Sequence, residues 1–164
     1  MLSESRNFIK LIKYYLVPIF LLMLQFCGIW QNLGAYPNLI LAFIYYVSVY
    51  ESVKFFALYY LLLGFFNDAL SANLNANTGF IWILFHLIVR SQKKYLRHND
   101  FKLCWLSFSL FSVFYFFVEW LYRSQYEERL IYNKNSLISS LLLTILIYPM
   151  VSKIFSQNNT AYAK

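Results

Sequence analysis

Polar and apolar positions in this chain fall into blocks rather than a fine alternation. Apolar runs, several of them close to the length of a membrane helix and the one at 37–50 short for a span, are separated by short polar interruptions. The run 14–30 follows the basic residues Arg6, Lys10 and Lys13 and predicts a first helix, with Pro18 and Gln25 inside it. Basic residues ahead of an apolar core also describe a signal peptide. This run is longer than such cores and further runs follow it, so it reads as a retained span.

Five more helices are predicted. The second covers 37–50, with Pro37 at a first-turn position that suits its missing N–H. A charged turn at 51–54 leads into a third helix over 52–70. An Asn-rich, charge-free link follows, and Asn77 is the expected side-chain cap of a fourth helix over 78–89. The fifth and sixth are expected at 103–122 and 136–155. This pattern predicts an all-α fold, a polytopic integral membrane protein built as a six-transmembrane-helix bundle. Its parts are an N-terminal segment 1–13, a membrane domain 14–155 and a tail 156–164.

Composition strengthens the membrane reading. Hydrophobic residues make up 60% of the chain and charged residues 13%, and so few charged groups could not cover a water-facing surface. The distribution of charge adds an orientation. With six spans, eleven of the 14 Lys and Arg residues fall on the side shared by the two termini, the 51–54 turn and the 90–102 loop. Basic residues concentrate on cytoplasmic loops, so both termini are expected in the cytoplasm. The loops at 31–36, 68–78 and 123–134 are then expected outside. Trp30, Trp82, Trp105 and Trp120 fall near predicted helix ends, where tryptophan anchors a span at the interface.

Polar residues within the runs are the candidate functional positions. In the third helix Ala57, Leu61, Gly64 and Asp68 share one face, which turns Asp68 toward protein rather than lipid. Asp68, next to Asn67, either ends the helix in solvated form or pairs with a partner group in a polar pocket. Glu119 shares a face with Ser109 and Ser112, and Ser136, Ser140 and Thr144 form a stripe that suggests close helix packing. His86 is expected as an interfacial hydrogen-bonder. Arg90, Lys93, Lys94, Arg97 and Lys102 make 90–102 the most basic segment, suited to topology and to anionic lipid or an acidic partner. Cys27 and Cys104 are expected near opposite faces, as packing residues rather than a disulfide or a metal pair. No GxSxG, HExxH or phosphate-binding glycine loop is present, and no cofactor, metal or nucleic acid is expected.

Two stretches resemble a known family. Tyr36-Pro37-Asn38-Leu39 opens the second helix, and Gly64-x-x-x-Asp68 closes the third, followed by a loop and Thr78-Gly79. Small six-helix proteins of the rod shape-determining MreD family carry similar residues, with Asp where this chain has Asn38 and a shorter loop after the acidic residue. The resemblance covers residues 36–80 by motif and most of the chain by architecture. It implies a non-enzymatic scaffold in a bacterial inner membrane that maintains rod shape by working with an MreC-like protein, with MreB filaments and with the peptidoglycan synthases of cell elongation. Pro37, Asn38, Gly64, Asn67, Asp68, Gly79 and Glu119 would serve partner binding or helix packing, and the basic loop would face the filaments. The alternative is the substrate-binding subunit of a vitamin transporter. Such subunits carry Ala-x-x-x-Ala faces in the first helix, and the run 14–30 contains no alanine.

Overall fold

A computed structural model of the chain describes residues 2–28, 30, 34–50, 57–71, 77–96, 101–126 and 134–160. The described residues are all-helical: α1 (Leu2–Gln25), α2 (Leu39–Tyr50), α3 (Ala57–Leu70), α4 (Thr78–Ser91), the single turn α5 (Lys93–Leu96), α6 (Phe101–Tyr126) and α7 (Lys134–Thr160). Two stretches, Phe101–Leu121 and Asn135–Phe155, are long and apolar enough to cross a membrane. The apolar parts of α1 to α4 are shorter. The charged turn 51–54, most of the Asn-rich link, Arg97 and much of the 123–134 loop lie outside the described residues.

The bundle is organised around α2. Its sequence LILAFIYYVSVY is apolar all round, the mark of a helix without a solvent face, and every residue from 39 to 49 is buried. Helices α1, α4, α6 and α7 pack against it, and α5 closes one end. At its centre the Tyr45 ring meets Phe108 and Tyr148 edge-on, with centroids 5.2 and 5.5 Å away. The Tyr45 hydroxyl donates to the Cys104 carbonyl at 3.0 Å, so the one polar atom of this ring is satisfied inside the core.

The surrounding helices turn apolar side chains outward. Leu62 and Phe66 on α3, Leu84 and Leu87 on α4, Leu106 and Leu110 on α6, and Leu142 and Leu146 on α7 are all exposed. Soluble monomers rarely leave apolar surface this continuous uncovered.

Several expected boundaries shift for local reasons. The first helix begins at Leu2 and ends at Gln25, not at Trp30. Beyond Gln25 the chain tightens: Cys27 N–H donates to the Leu24 carbonyl and Trp30 N–H to that of Cys27, three residues back in each case. The Trp30 indole donates to the same Leu24 carbonyl at 2.8 Å, satisfying an orphan acceptor of the last turn. Helix α2 starts two residues later than expected. Asn38 is its cap, its side-chain oxygen accepting the Leu41 N–H at 3.0 Å, so Pro37 precedes the cap and does not occupy the first turn. Trp82 is fully buried, so it is a core residue and not an interfacial anchor. Cys104 is buried as expected, but Cys27 is exposed and so is no packing residue.

Candidate functional site

Helices α3 and α4 approach each other closely through two glycines. A Cβ added to Gly64 would lie 2.2 Å from the Gly79 Cα, and one added to Gly79 would lie 3.0 Å from the Leu61 Cα. Only glycine at both positions lets the two helices run this close. One turn along α3, this contact delivers Asp68 to the start of α4. The Thr78 N–H donates to Asp68 Oδ2 at 3.1 Å, and the Thr78 hydroxyl donates to Oδ1. Asp68 is 2% exposed.

Two expectations are decided by this geometry. Asp68 does not sit solvated at an interface; it is a buried carboxylate held by Thr78. And Asn77, at the N-cap position, makes no side-chain cap hydrogen bond. The cap of α4 comes from across the interface, from a carboxylate that also complements the positive end of the helix.

A cavity of about 520 Å³ opens beside this contact. Its walls come from the end of α1 (Gln25, Phe26), the stretch before α2 (Tyr36, Asn38), the end of α3 (Asn67, Leu70, Ser71) and Thr78 of α4. Tyr115, Phe116 and Glu119 of α6 and Ser136, Leu137 and Ser140 of α7 complete it. Polar residues scattered over the sequence thus converge at one end of the bundle. Gln25 donates to Asn67 Oδ1 at 3.4 Å, while Gln25 Oε1 is buried with no hydrogen-bond partner among the described residues. Glu119 is half-buried. Asn38, Asp68, Glu119 and Trp82 are the polar neighbours of the buried Tyr115 hydroxyl, although the Trp82 indole N–H does not reach hydrogen-bond geometry with any described group.

The serine and threonine stripe of α7 is buried at Ser140 and Thr144, as expected for helix packing, and it also receives backbone N–H groups. Residues 35–38 are irregular, and their N–H groups need acceptors. Ser140 Oγ accepts the Tyr36 N–H at 2.8 Å and Thr144 Oγ1 accepts the Asn38 N–H at 2.9 Å. Thr144 in turn donates to the Ser140 carbonyl. The stripe is a ladder that receives non-helical backbone.

The remaining expected positions lie elsewhere. Pro37 is buried beside the cap of α2. His86 is buried rather than interfacial. Its Nδ1 lies 2.6 Å from Ser48 Oγ and 3.2 Å from the Tyr60 hydroxyl. The Ser48 hydroxyl also lies 2.6 Å from the Ile44 carbonyl, to which it donates. Arg90 is exposed in the last turn of α4, where a cation complements the helix dipole, and Lys93 and Lys94 continue into α5. These basic residues stand at the end of α4 opposite the cavity. Among the described residues, no three His, Cys, Asp or Glu side chains gather as a metal site.

The convergence of Gln25, Asn38 and Glu119 on the cavity is what sequence reasoning missed. Each was visible as a polar residue in an apolar run, but no spacing links positions so far apart. No protein-family model matches this chain, and neither does any curated protein or solved structure.

Proposed function

We propose that this chain is a six-span membrane scaffold with both termini in the cytoplasm, acting in cell-wall elongation in the manner of the MreD family. The observation that carries the reading is the α3–α4 contact. Gly64, Asp68, Thr78 and Gly79, the residues on which much of the resemblance rests, form one structural unit. A glycine contact locked by a capped carboxylate gives a rigid ledge, and rigid elements present partners with less ordering cost. The apolar outer faces of the helices fit a lipid surround in a multi-pass bacterial inner-membrane protein.

In this scheme the cavity end faces outward, toward an MreC-like protein and the peptidoglycan synthases. The basic end, with Arg90 and Lys93, faces the cytoplasm, where anionic lipid and MreB filaments lie. The chain itself carries no chemical step. Depletion of the protein should round rod-shaped cells, and photocrosslinkers placed at Ser71 should recover an MreC-like protein. Normal cell shape after depletion, with no such crosslink, would refute the proposal.

A further inference from the structure

The end of α4 opposite the cavity carries a second set of converging side chains. Helices α3 and α4 run antiparallel through their glycine contact, so the start of α3 stands beside the end of α4. The Tyr60 hydroxyl of α3 lies 3.2 Å from His86 Nδ1. Arg90, one turn beyond His86, is an electrostatic neighbour of both groups, and Lys93 of α5 is a neighbour of His86. Arg90 is exposed and Lys93 half-buried. The segment 90–102 carries five Lys and Arg residues against the single carboxylate of Asp100, and in the turn 51–54 Glu51 and Lys54 balance. This corner of the protein is cationic.

Two apolar tracks lead up to it. On α3, Leu58, Leu62 and Phe65 follow one another at spacings of four and three, and all are exposed. On α4, Ile83, Leu87 and Arg90 repeat those spacings, so the exposed Leu87 leads to the cation. Between the tracks, Gly64 and Gly79 bring no side chain to fill the crease. Cations at the head of a strip of outward apolar side chains match the two parts of a phospholipid, an anionic head and apolar tails.

We propose that the cationic end of the α3–α4 groove seats an anionic phospholipid. Arg90 and Lys93 hold its phosphate, and its acyl chains lie along Leu58, Leu62, Phe65 and Leu87. This site requires the membrane setting proposed above but not the cell-wall role.

The test is lipid-selective quenching of a probe beside the groove. Leu62→Cys is made in a Cys27→Ser background, since Cys27 is exposed whereas Cys104 is buried, and is labelled with bimane. The full chain is reconstituted in phosphatidylcholine bilayers that contain brominated phosphatidylglycerol or brominated phosphatidylcholine at equal mole fraction. One basic residue at the surface strengthens the hold on an anionic head about fivefold, so the brominated phosphatidylglycerol should quench as though enriched about fivefold. The enrichment should vanish in the double variant Arg90→Gln, Lys93→Gln, while quenching by brominated phosphatidylcholine stays as in the parent protein. A probe at Met150→Cys, at an exposed position of α7 beside Lys153, should show much smaller enrichment. Equal quenching by the two lipids would overturn the site and leave the basic corner to an acidic protein surface. Enrichment that survives the double substitution, or that is as large at Met150, would overturn it as well. Quenching by neither lipid would overturn the membrane setting itself, and the site with it.

Discussion

Gly64→Ala is the sharpest perturbation available, because its effect can be worked from one distance. The new methyl would sit 2.2 Å from the Gly79 Cα and equally close to the Gly79 nitrogen, both backbone atoms that cannot rotate away. Comfortable carbon–carbon contact is about 3.6 Å, so α3 and α4 must part by roughly 1.4 Å at this point. Asp68 lies one turn further along α3, and its bond to the Thr78 N–H spans 3.1 Å. A separation of that size carries this bond past the useful limit, so the cap is lost with the contact. Overpacking of about 1–3 kcal/mol and loss of a cap at about 1 kcal/mol together predict a destabilisation of about 2–4 kcal/mol. Gly79→Ala, whose methyl meets the Leu61 Cα at 3.0 Å, should cost less. The assay is reversible unfolding of the purified chain in mixed micelles by added SDS. Because Gly64→Ala already breaks the cap, Asp68→Ala should cost much less in that background than in the wild type. Additive losses, or a Gly64→Ala protein as stable as wild type, would refute the coupling of contact and cap.

The same unfolding assay checks three further expectations. Asp68→Ala should destabilise by about 2–3 kcal/mol and Asp68→Asn by less, since the amide oxygen can still accept one of the two Thr78 donors; equal losses would show that accepting those bonds is not what matters. Thr144→Val strands the buried Asn38 N–H and should cost about 1–3 kcal/mol, whereas Ser140→Ala frees the N–H of exposed Tyr36, which water can reach, and should cost less. The reverse order would overturn the ladder. Ser112→Ala should be neutral or stabilising by about 1 kcal/mol, because the Ser112 hydroxyl is fully buried and has no hydrogen-bond partner among the described residues; a clear loss would refute this.

The sequence made some of this geometry legible and hid the rest for definite reasons. Four-residue spacing put Gly64 and Asp68 on one helix face, and that face does meet α4. The apolar runs marked the helices, and α2 could be read as buried from the absence of any polar side. The source of the α4 cap was not legible, because Asn77 is adjacent in sequence while Asp68 is adjacent only in space. Trp82 lies one turn into α4, a depth at which linear position does not separate an interfacial anchor from a core residue facing inward. The extent of α1 was misread because an apolar composition continues past Gln25, while the Trp30 indole turns back to close the helix at Leu24. The polar stripe of α7 was recognised, but what it bonds to is more than a hundred residues earlier in the chain.

The cavity follows from the shortness of α2. The twelve described residues of α2 rise only about 18 Å, against a bilayer core of about 30 Å. Asn38 caps its start, and residues 35–38 ahead of it are irregular backbone. Such backbone is tolerated in a membrane only when it is buried in protein or lines a cavity. Here both conditions operate. The α7 ladder takes up the Tyr36 and Asn38 N–H groups, and Tyr36 and Asn38 also line the cavity that the truncated helix leaves behind. A core helix that stops short therefore sets the ladder, the cap and the cavity together. A chain that needed only to fill space could have extended α2 by two apolar turns, and this one places Pro37 and Asn38 at that point instead.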